Sequence, residues 1–129
     1  MYEKLYSDIT DALVNDGYLI IQDALEPDLA TKLLLLSQNE KSYKEAGVSN
    51  STNYHVDKKR RSDKTKWIDE DGASQSSYLD FNHGLQEYLN RSLFLGLNYY
   101  ESHFALYDKG DFYEKHLDAF KNSKKRIVT

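Results

Sequence analysis

Apolar residues that recur every three or four positions predict three helices in the first part of the chain. The first covers residues 3–16 and ends at an Asn-Asp-Gly stop, and the second begins at Pro27 and runs to about residue 38. Proline suits the first position of a helix because its fixed φ matches the helix and its missing N–H needs no partner there. The third helix covers about 76–91 and follows a clear turn at 69–72.

Short apolar or β-branched runs predict the strands. Residues 18–22 form a run that is typical of a buried strand. Two further strands are expected at roughly 99–107 and 112–118, joined by a hairpin-like turn at 108–110. Residues 127–129 look like the start of another strand. The chain therefore combines helices and strands.

Composition narrows the function classes. The chain has 129 residues, a net charge of −4 and no cysteine. This size fits one domain or part of one, and disulfides, thiolate zinc sites and cysteine nucleophiles are excluded. The acidic balance gives no general attraction to nucleic acid or to an anionic membrane. Because there is no run of 18 apolar residues and no signal-peptide layout at the N-terminus, a cytoplasmic location is expected.

Two polar stretches lie between the predicted elements. Residues 39–53 predict a loop or a frayed helix end, and residues 54–68 are dense in charge. The basic run 58–66 is interleaved with acidic Asp63 and preceded by Asp57, in a chain that is acidic overall. A solvated charged face is therefore a simpler interpretation of this run than a patch that binds polyanions.

The candidate chemistry lies in two His-x-Asp pairs. His116 and Asp118 follow the turn, and alternate residues of a strand point to the same face. An imidazole and a carboxylate placed so would suit adjacent ligands of an Fe(II) site of the 2-His-1-carboxylate type. The alternative is an ion pair of His116 at the end of a strand.

The second pair, His55 and Asp57, is followed directly by four cationic residues. These oppose a divalent ion and favour a solvated strand or loop. A single metal site built from both pairs is a further alternative.

Three more side chains flank the His116 pair. Tyr107 and Tyr113 can donate hydrogen bonds to a bound carboxylate, although packing is the simpler interpretation of both. His103 shares strand parity with Tyr107, so it either lines the same cavity or is a structural histidine. The chain contains no Gly-x-Ser-x-Gly motif, no Walker loop and no dinucleotide-binding glycine pattern.

The combined spacing resembles a known family. The run Tyr107-x-x-Gly110-x-x-Tyr113-x-x-His116-x-Asp118 is similar to the first half of the catalytic core of prolyl 4-hydroxylase-type oxygenases, which depend on Fe(II) and 2-oxoglutarate. The bacterial relatives of the oxygen-sensing prolyl hydroxylases look most similar. Upstream, residues 61–67 resemble that group's Arg-Gly-Asp-x-x-x-Trp segment, with serine at position 62 in place of glycine. Residues 17–27 and 89–105 also look like the matching family segments.

The resemblance implies an α+β fold, with N-terminal helices packed on the first strands of a double-stranded β-helix, or jelly roll. It implies a single oxygenase domain over residues 1–129. Within that domain, a helix–strand–helix support would cover 1–53 and the start of the catalytic β-helix would cover 54–129.

The resemblance also implies roles for individual residues. His116 and Asp118 would be two iron ligands, and Tyr107 would contact 2-oxoglutarate. Tyr113 would line the iron pocket, and Thr129 would begin a strand that carries further cofactor contacts. The implied reaction consumes O2 and 2-oxoglutarate, admits ascorbate as an additional cofactor, and hydroxylates prolyl or other side chains of a protein or peptide.

The family's distal histidine and its 2-oxoglutarate-binding basic residue lie on later strands, and no histidine follows His116 here. We therefore expect the chain to be a C-terminally truncated fragment that does not turn over. Without later strands the barrel cannot close, and strand edges stay unpaired. The alternative function is a non-enzymatic interaction module that pairs through those edges with a second copy or with a missing C-terminal half.

Overall fold

The computed structural model describes residues 1–49, 54–56, 60–117 and 127–129, with the backbone alone at 47–49 and 54–56. Within these ranges the chain forms three helices and five short strands. The helices are α1 (Glu3–Asn15), α2 (Pro27–Asn39) and α3 (Ala73–Leu93). The strands are β1 (Lys44–Glu45), β2 (Gly47–Ser49), β3 (Tyr54–Val56), β4 (Lys64–Trp67) and β5 (His103–Leu106). The fold class is α+β, as the sequence predicted.

The chain divides into two compact units. Residues 1–39 and 68–101 form the first, which holds all three of these helices. Residues 40–67 and 102–129 form the second, which holds the five strands. None of the helices in the described ranges has the length and apolar character that spanning a bilayer requires.

The helical unit is built on contacts of α1 and α2 with α3. Its buried apolar side chains come from all three helices: Tyr6, Ala12, Leu33 and Leu89. Tyr6 is buried with its hydroxyl satisfied, because the hydroxyl donates to the backbone carbonyl of Phe81 at 2.7 Å. The Tyr6 ring also lies 5.6 Å from the Phe81 ring, a favourable tilted aromatic contact.

Gly84 of α3 is the position that lets Tyr6 approach. A Cβ at residue 84 would lie 2.7 Å from the Tyr6 hydroxyl oxygen, closer than real contacts allow. Gly84→Ala must therefore displace Tyr6 and its hydrogen bond to Phe81. Overpacking costs about 1–3 kcal/mol and alanine's helix propensity returns about 1 kcal/mol, so we expect a net loss of up to about 2 kcal/mol.

Urea denaturation of the Gly84→Ala variant checks this expectation. Ser92→Ala is the matched control, because it makes a helix-favouring change at an exposed position of α3. The control should change the free energy of unfolding by less than about 0.5 kcal/mol. A Gly84→Ala variant more stable than the wild type would contradict the close contact.

The helix ends follow the signals in the sequence. The Asn-Asp-Gly stop ends α1, where Gly17 adopts a φ of +83° and its N–H donates to the Ala12 carbonyl at 2.9 Å. Pro27 is the first residue of α2, as its geometry favours. After α3, the Asn90 side chain both donates to and accepts from the Leu97 backbone at 2.7 Å, which fixes the exit of the chain.

The strands form two antiparallel sheets. One has the order β1-β4-β5, and the other pairs β2 with β3. In the first sheet Lys64 lies opposite Leu106. An unbroken ladder would place Lys109 opposite Arg61, but Tyr113 lies there. The chain between β5 and Tyr113 therefore contains an excursion, four residues more than an unbroken ladder needs. The residues before and after this excursion pair with the same continuous segment, 61–67.

This arrangement corrects several sequence predictions. The hairpin-like turn at 108–110 does not join two strands that pair with each other, and among residues 112–117 only Tyr113 forms a β-bridge. Residues 127–129 form no strand. The polar stretch 39–53, predicted as a loop, contains β1 and β2. Short polar segments give a weak strand signal, and their pairing depends on partners far away in sequence.

The predicted strand at 18–22 is also wrong. These residues form no strand, and Tyr18 and Ile20 are 68% and 79% exposed. A strand needs a neighbour for its backbone hydrogen bonds, and in the described part of the chain none pairs with this run. The β-propensity of residues 18–22 was therefore not enough by itself to make them a strand.

Candidate active site

A buried ion pair between Arg61 and Asp63 lies just before β4. Residues two apart in an extended segment point to the same side, so these two side chains meet. Nε of Arg61 donates to Oδ1 of Asp63 at 2.8 Å, and Nη2 donates to Oδ2 at 2.7 Å. The two side chains are 10% and 0% exposed. Two parallel charge-assisted hydrogen bonds fix the plane of the guanidinium.

Tyr107 joins this pair from the end of β5. Continuing the ladder one step beyond the Lys64–Leu106 pair places Tyr107 opposite Asp63, and its phenol interacts electrostatically with the Asp63 carboxylate. Burial by itself would raise the pKa of Asp63, but the hydrogen bonds and charge of Arg61 outweigh burial and lower it. Burial, with the Asp63 charge adding to it, raises the pKa of Tyr107. At neutral pH Asp63 is thus ionised and Tyr107 is protonated.

Tyr113 packs against the same arginine from the returning segment. Ser62 N–H donates to the Phe112 carbonyl at 2.8 Å, and Glu114 N–H donates to the Arg60 carbonyl at 2.7 Å. These bonds flank the bridge between Arg61 and Tyr113, which is therefore the closer, non-hydrogen-bonded kind of cross-strand pair. Cζ of Arg61 lies 3.9 Å from the centre of the Tyr113 ring. This is a cation–π contact.

His116 stacks on the same tyrosine. The ring centres of Tyr113 and His116 are 3.7 Å apart, and the planes differ by 8°. The Arg61 guanidinium and the His116 imidazole lie 3.9 Å and 3.7 Å from the centre of the Tyr113 ring, and they would overlap if they lay on the same face of it. They therefore lie on opposite faces. Residues three apart in a strand point to opposite sides. The stacking therefore requires the chain to leave the extended conformation after Tyr113.

A short hydrogen-bonded loop supports this cluster. The Phe112 N–H donates to the Ser62 hydroxyl oxygen at 3.0 Å, and that hydroxyl donates to Oδ1 of Asp111 at 3.1 Å. Oδ2 of Asp111 accepts from the Asp108 N–H at 2.9 Å. Gly110, with a φ of +90°, allows the turn. Serine at position 62 therefore does what glycine could not, because its hydroxyl ties the excursion to the segment before β4.

The fold is similar to that of a prolyl-4-hydroxylase. A crystal structure of the Pseudomonas putida enzyme matches this chain with a TM-score of 0.77 and 30% sequence identity. The match covers 88% of this chain and 61% of the Pseudomonas chain. The chain thus spans less than two thirds of the length of the prolyl-4-hydroxylase it matches. Neither a protein-family model nor a curated protein sequence matches it.

The chemistry of His116 fits a metal ligand. Its Nδ1 lies 2.7 Å from the Glu114 carbonyl oxygen, which can only accept a hydrogen bond. An Nδ1–H donated to this carbonyl leaves the ring lone pair on Nε2. Metal-binding histidines usually have this tautomer, held by a backbone carbonyl or a carboxylate. Within the described ranges, no group of three or more histidine, aspartate or glutamate side chains is placed to hold a metal ion.

The other sequence-predicted site residues lie apart from this cluster or outside the described residues. Asp118 and Asp57 lie outside them, and only the backbone of His55, in β3, is described. Thr129 is exposed and is not part of a strand. His103 lies at the far end of β5, opposite Trp67, with the two rings edge to face at 5.6 Å. It does not share the cluster around Tyr107, about 13 Å along a strand.

Sequence reasoning missed Arg61 and Asp63 as site residues. Both lie in the charged run that predicted a solvated face, yet Asp63 is 1% exposed. That interpretation is wrong for these two residues because a paired charge can be buried when its partner satisfies it. A signal existed in the Arg-x-Asp spacing of the segment that resembled the family motif.

Proposed function

We propose that this chain is part of an Fe(II)- and 2-oxoglutarate-dependent dioxygenase of the prolyl 4-hydroxylase type. Its substrates would be prolyl or other side chains of a protein or peptide, with O2 and 2-oxoglutarate as co-substrates. The observation that carries the proposal is the 30% identity to a prolyl-4-hydroxylase over 88% of this chain. The cluster that gathers Tyr107, Tyr113 and His116 lends it chemical support.

In this proposal His116, through Nε2, and Asp118 hold the iron. When bound, the iron supplies the oxidation chemistry, and the protein supplies binding, orientation and a shaped site. The Glu114 carbonyl holds the His116 tautomer. Tyr113 walls the iron site, and Thr129 contributes a further contact to 2-oxoglutarate.

Tyr107 would bind a carboxylate of 2-oxoglutarate. A phenol carries one hydrogen, so when Tyr107 donates to the cofactor it cannot also donate to the nearby Asp63 carboxylate. Asp63 keeps two charge-assisted hydrogen bonds from Arg61 when this happens, so its buried charge stays compensated. Tyr107 can therefore exchange partners without leaving Asp63 unpaired.

An anaerobic titration with Fe(II) and 2-oxoglutarate tests the proposal. We expect the wild-type chain to bind Fe(II) with the charge-transfer absorption of a chelated 2-oxoglutarate complex. His116→Ala should weaken metal binding by at least about tenfold, since losing even the outer partners of metal ligands costs about 10–100-fold. His103→Ala, the control at an exposed histidine of β5, should leave binding unchanged. Equal binding by the wild type and His116→Ala would overturn the proposed function.

A further inference from the structure

Asp63, Arg61, Tyr113 and His116 form one continuous series of contacts, from a fully buried carboxylate to an exposed imidazole. We propose that Arg61 and Tyr113 are positioning residues that hold the plane of the His116 ring ready to bind a metal ion. This inference rests on the proposed function for the metal, while the positioning of the ring can be measured without any metal.

The buried end of the series is rigid. Both oxygens of Asp63 accept hydrogen bonds from the Arg61 fork, and the pair is shielded from water. The Asp63 carbonyl also accepts from the Ala46 N–H at 3.1 Å, which ties this segment to the residue after β1. Because a forked pair fixes a plane as well as a distance, the guanidinium presents one defined face to Tyr113.

Tyr113 lies between Arg61 and His116 and orients the His116 ring. Its backbone is fixed opposite Arg61 by the two flanking backbone hydrogen bonds, and its ring lies between the guanidinium and the imidazole. The near-parallel stacking, with 8° between the planes, restricts the tilt of the His116 ring. Contact of Nδ1 with the Glu114 carbonyl restricts its rotation within that plane.

Such restraint matters because His116 is exposed and lies outside any strand. A side chain of this kind samples several rotamers, and ordering it on binding opposes metal affinity. A ring that is already ordered avoids that loss. The Arg61–Asp63 pair therefore affects the metal affinity of His116 indirectly, by fixing the Tyr113 ring on which His116 stacks.

NMR of the metal-free protein is the first measurement, with the His116 ring protons assigned by comparison with His116→Ala. Stacking on an aromatic face 3.7 Å away should shift these protons upfield of unstructured histidine. Tyr113→Phe keeps the ring and should keep the shift, whereas Tyr113→Leu should abolish it. The double variant Arg61→Met/Asp63→Leu, which removes both charges of the ion pair, should reduce it.

Mn(II) titration is the second measurement. Tyr113→Leu should weaken Mn(II) binding by about 10-fold or more, the scale of losing a ligand's outer partner, and Tyr113→Phe should restore wild-type affinity. His116 protons at unstructured positions in the wild type would overturn the proposal even if no variant folds. So would equal Mn(II) affinity of the leucine and phenylalanine variants. If His116→Ala also binds Mn(II) as the wild type does, the proposed function has failed, and the NMR result alone decides the positioning role.

Discussion

Asp63→Asn is expected to lower the free energy of unfolding by about 3–5 kcal/mol, the cost of removing one partner from a buried ion pair. Asparagine keeps the shape, but it removes the negative charge that accepts both hydrogen bonds from Arg61, whose side chain is 10% exposed. Urea denaturation at pH 7 measures the loss. Asp11→Asn removes an exposed carboxylate of α1 and should stay within about 0.5 kcal/mol of the wild type.

The pH dependence of this difference identifies its cause. Arg61 lowers the pKa of Asp63 in the folded state, so the unfolded state takes up a proton first as the pH falls. The stabilisation is therefore complete above about pH 4, the ordinary range of an aspartate, and is lost as the pH falls through the lowered folded pKa. The gap between the wild type and Asp63→Asn should shrink over that window. A gap that does not change with pH would contradict an electrostatic origin.

The double variant Arg61→Met/Asp63→Leu distinguishes the effect of losing the whole ion pair from the effect of losing one partner and keeping the other charge. Replacing both partners of a buried ion pair by apolar residues is often neutral or stabilising, because no charge remains to be desolvated. We expect the double variant to recover most of the stability that Asp63→Asn loses. A double variant as unstable as Asp63→Asn would mean that the site depends on packing of the wild-type side chains rather than on charge compensation.

Leu89→Ala is expected to destabilise the helical unit by about 2–5 kcal/mol, as for other leucines deleted from a core. Leu89 is 2% exposed and belongs to α3, on which α1 and α2 both pack. The loss combines the lost transfer of the side chain from water with the cavity left behind. Thermal or urea unfolding, followed by the far-UV signal of the helices, checks the value.

Leu34→Ala is the matched control for Leu89→Ala, since Leu34 is a leucine of α2 that is 57% exposed. Its loss should be well under half that of Leu89→Ala. Equal losses at the two positions would show that the core of this unit is not centred on α3.

The helices could be predicted from the sequence because their signals are local. Pro27 begins α2, Gly17 ends α1, and the turn before residue 73 precedes α3, all within a residue or a few of the prediction. Helix hydrogen bonds join residues four apart, so the sequence that makes a helix also contains its partners. The strands were predicted less well because their partners lie far along the chain. Arg61 and Tyr113, for example, are paired across 52 positions.

The candidate site shows the same division between features that are local in sequence and features that depend on distant segments. The sequence singled out Tyr107, Tyr113 and His116 through their spacing. The structure places both tyrosines beside the Arg61–Asp63 pair and stacks His116 on Tyr113. The assumption that His116 continues a strand was wrong, and the two charged residues at the centre were assigned to a solvated face. Neither fact could be predicted from period or composition, because a buried charge and a charge in solvent have the same sequence signature until a partner is placed beside them.

The sequence by itself determined the α+β class, the three helices with their ends, and the tyrosine and histidine positions that carry candidate chemistry. Only the tertiary structure decided that β4 and the segment before it pair with opposite sides of a four-residue excursion. It also decided that Arg61 and Asp63 are buried together and that His116 turns back onto Tyr113. The physical reason is the sequence separation over which each interaction acts. Helix propensity and turn chemistry act between near neighbours, whereas burial, charge compensation and stacking depend on which distant segments meet.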